Sequence, residues 1–137
     1  ILAVFGSPEP DDRQEEKAVR TALEMQQAMR ELREVWVHRG LPVFEIGIGI
    51  NAGEALHGFV GTPERMEYTI IGDSVNRAAR YCDGASAGEV VISQRVYEQI
   101  YRWVEVVPKT ISTKHPDTET DLSGYVVTGI QPKMKLR

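Results

Sequence analysis

The sequence predicts an α+β sandwich: a mixed or antiparallel sheet with helices packed on it. Three observations point there. Helical periodicity is confined to separate stretches. Short runs rich in Ile and Val lie between them. The predicted order is strand, helix, three strands, helix, strand, helix and two strands, which mixes hairpin-like pairs with helices rather than alternating strictly. A ferredoxin-like core with extra strands satisfies that order.

Residues 1–5, Ile-Leu-Ala-Val-Phe, form an apolar run that ends at Gly6-Ser7-Pro8, so a buried strand leaving through a turn is expected there. Asp11 or Asp12 can cap a helix, and Asp12 with Glu15 resembles a capping box. Ala18, Ala22, Met25, Met29, Leu32 and Trp36 then make one apolar stripe, which Gly40 and Pro42 bring to a stop. The methionines on it read as core filler. Residues 43–50 read as a strand in which Gly47 and Gly49 alternate with Ile48 and Ile50. Such glycines mark either a close approach on one face or a bulge. Asn51-Ala52-Gly53 is a turn, 54–60 a strand, 61–65 a loop and 67–71 a strand. A helix from Asp73 or Ser74 to about Asp83 is expected to bury Val75, Ala78, Ala79 and Cys82. Residues 84–88 are a linker and 89–92 a strand, after which Ser93 caps a helix to Tyr101. Residues 103–107 and 124–129 pair as late strands around a polar loop, 108–123.

The 137 residues suit one domain, 1–137, with one core. A hydrophobic fraction of 42% and a charged fraction of 26% indicate a globular chain rather than a disordered one. The net charge of −4 argues against general nucleic-acid binding, which needs a basic face. A polyanionic ligand would need local cations or metal ions. Cys82 is the sole cysteine, so a reducing, cytoplasmic setting is expected. No apolar run approaches the roughly 20 residues of a membrane helix, and no membrane contact by this segment is expected. The chain opens inside an apolar run without Met, so it reads as a fragment of a longer protein that could be anchored elsewhere.

The chemistry concentrates in Glu67-Tyr68-Thr69-Ile70-Ile71-Gly72-Asp73-Ser74-Val75-Asn76-Arg77-Ala78-Ala79-Arg80. This reads as a strand, a tight turn and the start of a helix. Asn76 and Arg80 are four apart and share a helix face. A guanidinium offers a fork of donors to phosphate oxygens, and a carboxamide both donates and accepts, which suits a ribose. An isolated N-x-x-x-R is ordinarily solvated surface. Here the whole string resembles the Y-T-x-x-G-D-x-V-N-x-A-x-R motif of the class III nucleotidyl (adenylyl and guanylyl) cyclases. Ala3-Val4-Phe5-Gly6 is similar to the end of that family's G-D-x-x-x-A-x-F-G strand. Gly47 to Ile50, with Gly53, Glu54 and Gly58, resembles its I-G-I-H-x-G-x-x-x-G hairpin, and Gly88 to Ser93 its G-E-I-L-V-S strand. The resemblance covers about two thirds of the chain in collinear order.

The resemblance implies an adenylate cyclase domain of bacterial type that lacks its N-terminal part. In the family, two protomers pair head to tail and the active sites lie at their interface. Two Mg²⁺ or Mn²⁺ ions, held by two Asp residues, assist attack of the ribose 3′ oxygen on the α-phosphate of ATP. Asn76 would orient the ribose and Arg80 would stabilise the α-phosphate. Thr69 falls at the base-reading position, where a hydroxyl can accept from an exocyclic amine and so favours ATP, and Ile70 would offer backbone groups to the base edge. Lys114, with Lys109 as a rival, would contact the phosphates. Both metal carboxylates are expected upstream of Ile1, so no metal ligand is assigned in this chain and the fragment alone is expected to be inactive. Asn51 stands where the family often has His. His38, His57 and His115 show no ligand spacing, and the acidic residues 11–12 and 117–121 read as solvated turns. Guanylate cyclase is the alternative activity. A non-catalytic, nucleotide-binding or dimerising regulatory domain is the alternative role.

Overall fold

The computed structural model describes residues 1–112 and 121–131. Helix α1 (Gln14–His38) is followed by β1 (Ile48–Ile50), β2 (Leu56–Thr62), β3 (Arg65–Ile71), α2 (Asp73–Gly84), β4 (Val90–Ser93), α3 (Gln94–Ile100), β5 (Val104–Ile111) and β6 (Leu122–Ile130). One sheet has the order β1-β4-β6-β5, with β1 parallel to β4 and the other pairs antiparallel. β2 and β3 form a separate antiparallel ribbon in which Leu56 faces Ile71 and Thr62 faces Arg65. The predicted class, a mixed sheet with helices packed on it, is the architecture found.

β4 organises the core. Its sequence Val-Val-Ile-Ser is buried at every position, as a strand covered on both faces must be. Side chains alternate across a strand. Val90 and Ile92 accordingly join Val19 and Ala22 of α1, Val96 and Ile100 of α3, and Trp103, Val104 and Val127. Val91 points the other way, to Tyr81 of α2 and Ile111. Burial of each such aliphatic side chain contributes about 1.5–3 kcal/mol. Ser93 ends the strand and caps α3, its Oγ accepting from Val96 N at 3.4 Å, as its sequence position predicts.

Glycines 47 and 49 mark a close approach. Ile48 and Ile50 pack toward the α1 side, so Gly47 and Gly49 face α2. A methyl group on Gly49 would overlap the backbone of Tyr81 and Cys82, lying 2.7 Å from Cys82 Cα, and one on Gly47 would lie 2.9 Å from the Ala85 carbonyl oxygen. The bulge alternative is set aside by this packing. At the start of the parallel pair, the buried Gln26 amide donates to the carbonyls of Ile46 (2.9 Å) and Glu89 (3.1 Å). These same carbonyls accept from Gly88 N and Ile48 N. A helix side chain thus completes the sheet's edge.

Several local expectations are corrected. Residues 1–5 form no strand, and Ile1, Leu2, Val4 and Phe5 are exposed, with no neighbouring strand bonded to them. An apolar run becomes a strand only where backbone partners exist. For the same reason the strand expected at 43–50 is confined to Ile48–Ile50, where β4 pairs with it, while Leu41, Val43 and Phe44 stay exposed. α1 begins at Gln14 without a side-chain cap, because the Asp11 carboxylate instead accepts from Arg13 N (2.8 Å) and pairs with Lys17. Of the predicted stripe only Ala22 is buried, with Ala18, Met29 and Trp36 half-buried and Met25 and Leu32 exposed, while the other buried positions are Glu16, Val19 and Gln26. The polar bonds of Glu16 to Arg13 and Arg20, and of Gln26 to the strand carbonyls, let charged and amide side chains occupy the inward face. In α2 the buried residue is Tyr81. Val75 and Ala78 are half-buried, whereas Ala79 and Cys82 are exposed. The helix passes over β1 backbone-first, so the face beside the glycines buries main chain instead of side chains. β2 starts two residues later than expected, β3 starts at Arg65, and the late strands reach into the predicted polar loop.

Lys109 lies on β5 and donates to Glu89 Oε1 at 2.6 Å and to Ser86 Oγ at 3.3 Å. The Lys109 ammonium, helped by the Ser86 backbone N–H, holds the Glu89 carboxyl below its ordinary value of 4.5. A depressed carboxyl stabilises the fold above its unfolded pKa, and that contribution is lost as pH falls through the folded value. Lys109→Met is therefore expected to lower the unfolding temperature at pH 7, with the difference from wild type shrinking below pH 4.5. Thermal scans at the two pH values check this. For the close approach, Gly49→Ala is expected to destabilise by about 1–3 kcal/mol through overpacking, read from denaturant midpoints. An unchanged midpoint would show that α2 can lift away from β1 without loss.

Candidate functional site

The strand–turn–helix predicted from sequence is present as β3, Gly72 and α2. Gly72 adopts φ 152° and ψ 167°, a conformation open only to glycine. The Gly72 carbonyl then accepts from Val75 N (3.1 Å) and Asn76 N (3.2 Å) to start the helix. Asp73 is not a side-chain cap. It is the first helical residue, favourably placed against the helix dipole, and pairs with Arg77 Nε at 3.0 Å.

Asn76 and Arg80 lie one turn apart on α2. Asn76 is exposed and Arg80 half-buried. Among the described residues, Arg80 Nη2 is the side-chain nitrogen or oxygen that is shut off from solvent and lacks a hydrogen-bond partner. Leaving such a donor unmatched costs about 1–3 kcal/mol, more when it is charged. The fork is thus built to receive an acceptor, and an anion suits it best.

Thr69 and Ile70 lie half-buried at the end of β3, opposite Gly58 and His57 of β2. Residues directly opposite in an antiparallel pair share a face. Because Gly58 has no side chain, and a Cβ there would meet nothing within 4 Å, the space beside Thr69 is open. Its hydroxyl donates only a long bond, 3.4 Å, to its own strand at the Glu67 carbonyl. Thr69 is thereby left free to engage a ligand, although no hydrogen bond links it to Asn76 or Arg80. Lys114 and His115 fall outside the described residues. The rival Lys109 is committed to Glu89 and Ser86 on β5.

The structure adds residues that the motif does not flag. Asn51 Nδ2 donates to the Ser74 carbonyl at 3.0 Å, and Ser74 Oγ donates to the Glu54 carbonyl at 2.6 Å. Together with Glu54, Asp73, Arg77 and Arg95 they line a niche of about 160 Å³. That niche opens beside the first turn of α2 and does not include Asn76 or Arg80. Tyr68 OH lies 2.6 Å from His57 Nδ1 and 2.7 Å from Ser7 Oγ, tying the ribbon to the N-terminal segment. Partners 23 or 61 residues apart leave no signal in a single sequence. At the far end of α2, Tyr81 OH donates to the Ser123 carbonyl at 2.8 Å, and burial pushes its phenol above the ordinary value. Among the described residues, no three His, Cys, Asp or Glu side chains converge as a metal centre. No described helix is long and apolar enough to cross a membrane.

Residues 1–128 match the family model described as the adenylate and guanylate cyclase catalytic domain. Adenylate cyclase 1 of Rhizobium meliloti (strain 1021) is 38% identical over 134 residues, covering 95% of this chain and 20% of that protein. Among solved structures, the adenylyl cyclase CyaB from P. aeruginosa superposes with a TM-score of 0.84 at 32% identity, covering 93% of this chain and 66% of its own. The guanylyl cyclase Cya2 does so at 0.83 and 30%, covering 93% and 64%. The chain thus spans about a fifth of the curated relative and somewhat under two thirds of the two solved structures. With the motif, the turn geometry and the superposed fold in agreement, this chain belongs to the adenylate and guanylate cyclase catalytic-domain family.

Proposed function

We propose that this domain serves an adenylate cyclase that converts ATP to 3′,5′-cyclic AMP and pyrophosphate, working as a homodimer or with another cyclase domain. The observation that carries this reading is the Arg80 guanidinium, with one nitrogen shut off from solvent and unmatched. A phosphate oxygen meets that need. In the reaction, the ribose 3′ oxygen forms a bond to the α-phosphorus, the bond from that phosphorus to the pyrophosphate oxygen breaks and its electron pair leaves with pyrophosphate, and the 3′ hydroxyl proton passes to solvent water. Charge accumulates on the α-phosphate oxygens, where Arg80 acts as a fixed donor. Asn76, one turn earlier on α2, holds the ribose. Thr69 beside the vacant face of Gly58 accepts from the adenine amine, with Ile70 offering backbone groups next to it.

Mg²⁺ or Mn²⁺ would neutralise the triphosphate when bound. The described residues do not form a cluster that fits such an ion, so no step is assigned to it here. Lys114 remains the proposed phosphate contact. The lone Cys82 thiol and an ATP substrate accord with a cytoplasmic location. Guanylate cyclase activity is the second reading, favoured by the near-equal likeness to Cya2 and CyaB. Thr69 favours ATP, because its hydroxyl can accept from the exocyclic amine of adenine, and the preference is small because the same hydroxyl can also donate.

In the polypeptide that carries this domain, Arg80→Ala is expected to lower kcat by about 10²–10³ with the circular dichroism unchanged. An unaltered kcat would remove Arg80 from the reaction. Thr69→Ala is expected to shift the ATP-to-GTP ratio of kcat/KM toward GTP by about 2–10-fold, the worth of one hydrogen bond. A constant ratio would mean that the base is read elsewhere.

A further inference from the structure

Neither the outward face of the β2–β3 ribbon nor the niche beside α2 carries a second observation that identifies an occupant. The fastening of α2 carries more. Both residues assigned to chemistry stand on one 12-residue helix, so whatever sets the pose of that helix sets theirs. Its far end is held by Tyr81 OH on the Ser123 carbonyl and by the packing of Gly84 on Ile111. Its near end follows Gly72, whose backbone offers no side chain to pack.

The near end is instead held from β1. Asn51 directly follows Ile50, and Ile50 is in register with Ile92 of the buried strand β4. The Asn51 amide donates to the carbonyl of Ser74, two residues before Asn76. Ser74 Oγ donates in turn to the Glu54 carbonyl, but Glu54 belongs to the irregular connection between β1 and β2. Asn51 opens that same connection but sits directly against β1, so its bond holds the first turn of α2 three residues nearer the sheet than the Glu54 bond does. We propose that Asn51 is a positioning residue, which fixes the direction of Asn76 and Arg80 through the Ser74 carbonyl. This rests on the cyclase reading for its kinetic consequence, though not for the tether.

The chemistry of the tether sets its own controls. Ala removes the donor. Asp keeps the size but places a carboxylate against a carbonyl oxygen. His retains an N–H of similar reach. Misplacement of catalytic groups by a fraction of an ångström acts on the transition state more than on substrate binding. In the polypeptide that carries this domain, Asn51→Ala and Asn51→Asp are expected to lower kcat for ATP about tenfold with KM within twofold. Amide exchange at Val75 and Asn76 should speed up, and Asn51→His should restore both readings. A core variant, Ile100→Val, chosen for a comparable loss of thermal stability, should leave the kcat-to-KM split untouched. Unchanged kcat and exchange in Asn51→Ala would overturn the proposal, as would a kcat loss matched by Ile100→Val. If the wild-type polypeptide makes no cyclic nucleotide, the cyclase reading fails. The exchange rates then judge the tether alone: acceleration in Asn51→Ala with recovery in Asn51→His upholds it, and no change refutes it.

Discussion

The close passage of α2 over β1 is the contact on which the remaining structure depends. It is possible because the strand has hydrogen atoms at positions 47 and 49 where any other residue has Cβ. With side chains out of the way, the helix backbone near Tyr81, Cys82 and Ala85 settles directly on the strand. That contact gives the sheet its second covered face, with Val91 buried beneath Tyr81 while Val90 and Ile92 are buried on the other side. It also holds the helix that bears Asn76 and Arg80 close to the sheet and limits how it can tilt.

Rigidity in this domain is distributed unevenly, and the distribution has a physical logic. β4 lies inside the sheet, between helices on both faces, and every one of its residues is buried. Among the described residues β2 and β3 pair as strands only with each other, and Leu56, Phe59, Val60, Met66 and Ile71 on them remain exposed. Site residues span the two regimes: Thr69 and Ile70 on the ribbon, Asn76 and Arg80 on the helix. Gly72 joins them, so the single residue between strand and helix sets the relation between the groups proposed to read the base and those proposed to hold phosphate.

The electrostatics of the site follow from partial burial. Arg77, one residue from Asn76, is neutralised by Asp73, while Arg80 forms no ion pair among the described residues. A cation without such a partner among those residues and partly withdrawn from water is poised for an anion. The weakly acidic surface of the chain makes this local cation the more telling, because the net charge of −4 does nothing to attract a nucleotide.

The sequence by itself determined the α+β class, the strand–turn–helix bearing Thr69, Ile70, Asn76 and Arg80, and the Ser93 cap. These are encoded locally, in turn chemistry and in spacings of two to four residues. The tertiary structure decided the rest. Residues 1–5 and 43–47 have the composition of strands but, among the described residues, no strand to bond to. The inward face of α1 turned toward Glu16 and Gln26 because their polar groups found partners in Arg13, Arg20 and two strand carbonyls. Asn51 reached Ser74 across 23 residues. A hydrogen bond between distant segments exists only after the chain has folded, so no periodicity records it. Local pattern set what each segment could become, and the availability of partners settled which of those possibilities was realised.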